Sequence, residues 1–134
     1  MARIWEEVEA DTGEVSRYRR HVNGRGFVAP GAMVDATAFL DERVYVEKGA
    51  RVGARAWIGA GSWIEGGATV GVGAFIGTNV RIGRDATVGA GARLGSHARS
   101  GVGAKIAPAM RVPSDARIPA NAIVRPRELH PTAA

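Results

Sequence analysis

Residues 51–92 read RVGARA, WIGAGS, WIEGGA, TVGVGA, FIGTNV, RIGRDA and TVGAGA when divided every six residues. The same frame runs without a slip from HVNGRG at 21–26 to IVRPRE at 123–128, which makes 18 hexads. The second position is Val, Ile or Leu in 17 of the 18, the exception being Ser100. Positions three to five collect Gly, Pro, Asn and Asp, which make turns and tolerate left-handed backbone angles. Aliphatics six residues apart drift around a 3.6-residue helical wheel, so no α-helix keeps them on one face. Each hexad is therefore a short strand followed by a bend.

The rest of the composition agrees. At 134 residues the chain is one domain by length. Its 19 glycines are about twice the usual share for a globular protein, while only 8 residues are aromatic. It contains no cysteine, which excludes disulfide frameworks, thiolate nucleophiles and Cys-ligated metal sites. No apolar run approaches the roughly 18–20 residues that cross a bilayer, and the N-terminus lacks the apolar core of a signal peptide. The expectation is a soluble, cytoplasmic protein, or one in a virus particle assembled there, with no membrane partner.

Repeats of an aliphatic residue, often Gly next, and a small residue at the sixth position resemble the hexapeptide-repeat proteins, and the likeness covers residues 21–128. The resemblance implies a left-handed parallel β-helix, triangular in section, with three hexads per coil. It sets aside the usual right-handed crossover preference, so the handedness comes from the family alone. Eighteen hexads then give about 6 coils, a prism roughly 29 Å tall. Second-position residues 18 apart in sequence share an interior wall, as in Val22, Leu40, Ile58, Ile76, Leu94 and Val112. Residues 1–20 form an N-terminal cap, for which the Asp11-Thr12-Gly13 turn signal favours a β-hairpin over a short helix on Arg3–Ala10. Residues 129–134 are read as a C-terminal tail.

The first position of each hexad points outward, and sorting these residues by wall exposes an asymmetry. One wall carries His21, Phe39, Trp57, Phe75, Arg93 and Arg111; the next carries Phe27, Tyr45, Trp63, Arg81, Arg99 and Arg117. The third has no aromatic residue: Met33, Arg51, Thr69, Thr87, Lys105 and Ile123. The contiguous aromatics Phe27, Phe39, Tyr45, Trp57, Trp63 and Phe75 are expected to be covered by another protomer or by the N-terminal segment. Since the family is usually homotrimeric, the resemblance implies a homotrimer whose interface they form. Charge is uneven too, because residues 81–134 carry 9 basic and 3 acidic groups while residues 1–50 carry 7 and 9. Arg81, Arg93, Arg99, Arg111 and Arg117 are candidates for an anion site for phosphate or an acidic protein surface, unless Asp85 and Asp115 of a neighbour pair with them. No base-stacking pattern accompanies them, so no nucleic-acid partner is expected.

Acyltransferases of the family use a histidine general base near a subunit interface and bind acyl-CoA along the outer coils. Of three histidines, His21 opens the first coil and His130 lies in the tail, which leaves His97, at a corner, as the candidate base. The competing reading of His97 is a turn residue standing where Gly or Asn is common. Ser100 points inward, satisfied by a backbone carbonyl, and is no partner for it. The γ-class carbonic anhydrases, which share the fold, need three zinc-binding histidines that this chain cannot assemble, so no metal is expected. The unbroken frame, with no substrate-covering insertion, favours a non-catalytic trimeric module that needs no cofactor. Such a module would scaffold a cellular assembly or decorate and cement a virion. The alternative is a small CoA-dependent acyltransferase with His97 as base and the upper arginines on the CoA phosphates.

Overall fold

A computed structural model describes residues 5–9 and 15–126, with side chains from Arg17 onward. Seventeen of the eighteen hexads fold as read. Seventeen two-residue strands run from β3 (Phe27–Val28) to β19 (Ile123–Val124), one per hexad, joined by tight turns. Strands three hexads apart pair in parallel and in register, building three walls. Wall A holds β3, β6 (Tyr45–Val46), β9 (Trp63–Ile64), β12 (Arg81–Ile82), β15 (Arg99–Ser100) and β18 (Arg117–Ile118). Wall B runs from β4 (Met33–Val34) through β7 (Arg51–Val52) to β19, and wall C from β5 (Phe39–Leu40) through β11 (Phe75–Ile76) and β14 (Arg93–Leu94) to β17 (Arg111–Val112). The fold is a left-handed parallel β-helix with no α-helix among the described residues.

Second-position aliphatics line the interior: Leu40, Ile58, Ile64, Ile76, Ile82 and Leu94 are all fully buried. Alanines at the sixth position, such as Ala38, Ala68 and Ala86, fill the corners beside them. Each buried aliphatic rung contributes on the order of 1.5–3 kcal/mol, which makes the ladders the main driving force for folding. Many bends place their fifth residue at positive φ, either on glycine or on residues such as Asn79 (φ 53°) and Asp85 (φ 57°).

Seventeen strands at three per turn make five turns and two-thirds of a sixth, because residues 21–26 form no strand. A hairpin of β1 (Trp5–Glu9) and β2 (Val15–Arg20) precedes them, and β2 runs antiparallel to β3 through the pairs Arg19↔Val28 and Arg20↔Phe27. The chain must therefore reverse within six residues, and a turn replaces the expected strand. Gly24, at φ 97°, lies so close to the Leu40 carbonyl that a Cβ there would collide with it. The inside and outside of this hexad are consequently exchanged: Val22 is 76% exposed, while His21 is buried under the first coil and bonds the Ala38 carbonyl through Nε2 at 2.8 Å. That carbonyl only accepts, so Nε2 carries the proton.

At the upper end two of the upward donors are removed by proline. In the coil below, the third hexad residue donates its N–H to the second residue of the coil above, as Gly95 does to Val112 and Gly101 to Ile118, both at 2.8 Å. On the last strands of walls C and A the corresponding residues are Pro113 and Pro119, which have no N–H to offer a further coil.

Candidate functional site

The frame fixes what stands on each outer wall. Phe75 is paired with Trp57 below it and Arg93 above it on wall C, and Arg81 with Trp63 and Arg99 on wall A. The aromatic rings form two stacks, with Trp57 and Phe75 at 4.8 Å between centroids and Phe27 and Tyr45 at 4.7 Å. The hairpin covers the lower part of wall A, where Tyr18 packs edge-on against both Phe27 and Tyr45. Its hydroxyl donates to Glu47 Oε1 at 2.6 Å, and burial together with that bond raises the phenol well above its ordinary pKa. Phe27, Phe39 and Tyr45 are half-buried, whereas Trp57, Trp63 and Phe75 stay about 40% exposed on either side of the corner between walls C and A.

His97 stands on that same corner, above the aromatics. It is exposed, at φ 65°, and its backbone N–H bonds the Thr78 carbonyl one coil below at 2.9 Å. Eighteen residues in either direction bring Asn79 and Asp115 to equivalent turn positions beneath and above it, both also at positive φ. Thr78 and Ser96 stack beside them, with the two hydroxyls 3.0 Å apart. The outcome is a polar column on one corner: Asn79, His97 and Asp115, flanked by Thr78, Ser96 and Ser114. Sequence reasoning singled out His97 and treated Asp115 only as a counter-charge. The column becomes visible when the fourth and fifth hexad positions are read at intervals of 18.

The five candidate arginines flank this corner from both sides. Arg81, Arg99 and Arg117 stack on wall A, and Arg93 and Arg111 on wall C. Arg81 is engaged, with Nε 2.6 Å from Glu65 Oε2 and its guanidinium 5.6 Å from the Trp63 ring. Arg93 lies over Phe75 at 5.9 Å. Among the described residues Arg93, Arg99, Arg111 and Arg117 make no ion pair, and neither Asp85 nor Asp115 reaches them within the chain. A groove of ≈ 420 Å³ runs along wall C between Phe75, Arg93, Arg111 and Ser114, and another of ≈ 250 Å³ along wall A beside Arg81, Arg99 and Arg117. Among the described residues no group of three or more His, Asp or Glu is placed to hold a metal, and no helix is long and apolar enough to cross a membrane. His130 and the expected tail at 129–134 lie outside the described residues.

Ser100 differs from expectation. It points inward, only 4% exposed, but its Oγ has no hydrogen-bond partner among the described residues. Ser62, also buried, is satisfied on both sides: it donates to the Gly77 carbonyl at 2.7 Å and accepts from the Val80 N–H at 3.1 Å.

No protein-family model matches the chain, and no curated protein matches it in sequence. Solved structures do match. A point mutant of perosamine N-acetyltransferase from Caulobacter crescentus, in complex with CoA and GDP-perosamine, shares 30% identity over 73% of this chain and 47% of its own, with a TM-score of 0.72. The chain is a hexapeptide-repeat protein. Two further structures of Caulobacter crescentus proteins, PerB and another mutant of GDP-perosamine N-acetyltransferase, each with CoA and GDP-perosamine, match this hexapeptide-repeat chain at 27% and 28% identity. Their coverage is again 73% and 47%, with TM-scores of 0.61 and 0.56. The chain thus spans about half the length of the enzymes it resembles. These matches overturn the reading of a cofactor-free, non-catalytic scaffold or virion part, since the similar structures are N-acetyltransferases that bind CoA. The unbroken frame was poor evidence against an enzyme, because a regular repeat sets the shape of the prism while chemistry rests on the side chains at its corners.

Proposed function

We propose that this protein is an acyltransferase that takes its acyl group from an acyl-CoA, with the corner at His97 as the site of transfer. The observation that carries this reading is the likeness, at 30% identity and a TM-score of 0.72, to an N-acetyltransferase bound to CoA. The residues fit such a donor. Four arginines with no acidic partner among the described residues flank the corner, and the CoA phosphates are the kind of anion a guanidinium fork takes in bidentate contact. The acyl donor supplies an activated thioester carbonyl. His97, exposed and free of side-chain partners, accepts the proton of the acceptor nucleophile as that nucleophile forms its bond to the carbonyl carbon; the carbon–sulfur bond then breaks and the proton leaves with the thiolate. Asn79 and Asp115, one coil away on either side, frame the imidazole. The half-exposed Trp57, Trp63 and Phe75 serve as the interface of a homotrimer, which brings a neighbour's wall against the corner.

The test is thiol release from acetyl-CoA in the presence of a panel of amine and hydroxyl acceptors, read with a chromogenic disulfide. The cysteine-free chain contributes no background thiol. His97→Asn keeps a side chain that tolerates φ 65°, so it removes the base without straining the turn. It is expected to lower kcat at least about 100-fold, whereas Arg99→Ala is expected to raise KM for acetyl-CoA. Turnover unchanged in His97→Asn would remove the histidine from the mechanism.

A further inference from the structure

Two sheet edges are left open at the lower end of the prism. On wall A the first strand is covered by β2, and on wall C the turn at 21–26 bonds the lower edge through the Ala38 and Leu40 carbonyls. Among the described residues wall B has no such cover. Each β-helix strand offers two carbonyls downward to the coil beneath. For β4 these are Ala32 O and Val34 O, and among the described residues neither accepts a hydrogen bond. The second open edge is β1, the outermost strand of the eight-stranded sheet that continues wall A. Only Arg19 and Arg20 of β2 register on the β-helix, so most of the hairpin has no strand neighbour beyond itself. A two-stranded hairpin in water is marginally stable at best.

The two edges are complementary. On the outer face of wall B, from β4 up over β7 to residues 69–72, lies a groove of ≈ 650 Å³, floored by apolar groups that include Met33 and Val72, 64% and 44% exposed. Arg19 and Arg51 stand along it with no acidic partner among the described residues, and its one carboxylate, Asp35, is turned into Thr37, whose N–H and hydroxyl it accepts at 2.9 and 2.7 Å. β1 reads Trp-Glu-Glu-Val-Glu, three acids in five residues interleaved with apolar ones. In an antiparallel pair, alternate residues direct their N–H groups away from the partner, and that two-residue spacing matches the spacing of Ala32 O and Val34 O.

We infer that the lower edge of wall B is an interaction surface for a second copy of this chain, whose β1, with its acidic sequence, adds to β4 as an extra strand beside the basic Arg19 and Arg51. The contact is heterologous, β1 of one copy on β4 of the next, so it closes into a ring or propagates according to the angle between copies. It lies away from the His97 corner and does not depend on the acyltransfer reading.

The experiment measures self-association of the full chain by sedimentation equilibrium at low salt. Glu6→Lys/Glu7→Lys/Glu9→Lys is expected to weaken association roughly tenfold, as is Arg19→Glu/Arg51→Glu. The chain carrying all five substitutions is expected to recover, because both charges are then reversed together. Thermal midpoints of the β-helix, followed by circular dichroism, separate loss of contact from loss of fold. Unchanged association in either variant, or a five-fold variant weaker than both, overturns the inference.

Discussion

Exchanging a serine for valine should have opposite effects at two buried sites of this protein. Ser100 lies in the interior ladder between Ile82 and Ile118, 4% exposed, with its hydroxyl unpartnered. An unsatisfied buried hydroxyl costs on the order of 1–3 kcal/mol, and each buried methyl gained returns roughly 0.8 kcal/mol. Against this stands a packing cost of about 1 kcal/mol or more if the site is tight. The same ladder takes Val28, Val46, Ile64 and Ile82 without exposure, so valine suits the position. Ser100→Val is expected to stabilise by about 1–2 kcal/mol, raising Tm by roughly 3–6 °C for a chain of this length. At Ser62 the same exchange removes a hydroxyl that serves both the Gly77 carbonyl and the Val80 N–H. Ser62→Val is expected to destabilise by about 2 kcal/mol or more. Urea unfolding followed by circular dichroism measures both, with unchanged m-values showing that the unfolded states are comparable. Ser100→Ala guards against overpacking, since it removes the hydroxyl without adding volume. If both Ser100→Val and Ser100→Ala destabilise, the hydroxyl is satisfied and the accounting is wrong.

Three further outcomes follow from the same structure. Ile76→Asp places a carboxylate on a fully buried rung with no counter-charge and is expected to abolish the cooperative β-sheet melt seen by circular dichroism. Burial holds the His21 imidazole below its ordinary value of 6.5, partly offset by its bond to Ala38, so the unfolded chain takes up the proton first. Stability is therefore complete above pH 6.5 and declines as pH falls below it, and urea midpoints in His21→Asn should lose part of that acid slope. Pro113→Ala with Pro119→Ala restores two upward N–H donors on the top edge, and static light scattering should show concentration-dependent end-to-end association that the parent lacks.

The fold was legible because one chemical requirement repeats. A strand of two residues can bury only its second side chain, so an aliphatic at every sixth position and a turn-former after it fix a strand and a bend in each hexad, while the three-sided coil and its hand came from the family resemblance. The outer walls followed once the family resemblance supplied three hexads per coil, and the pairing of Trp57 with Phe75 and of Arg99 with Arg117 rests on that spacing. The frame misled at 21–26, where the antiparallel entry of β2 outweighs the local pattern and sends Val22 out and His21 in. Periodicity describes what a hexad does between two coils and says nothing about a hexad with no coil beneath it. The site was harder to read. His97 was visible as a residue, but its neighbours Asn79 and Asp115 are 18 positions away in sequence and carry the same turn-forming signal as any bend. The absence of an inserted loop pointed away from catalysis, although corner side chains need no insertion. The unpartnered Ser100 hydroxyl depends on how the surrounding carbonyls are used, which a single-residue pattern does not record.

Titration calorimetry with acetyl-CoA tests the proposed activity most directly. The account predicts saturable binding in the micromolar range, lost in Arg99→Ala/Arg117→Ala and retained in His97→Asn. Absence of binding heat at about 1 mM acetyl-CoA, with the protein folded by circular dichroism, would contradict it.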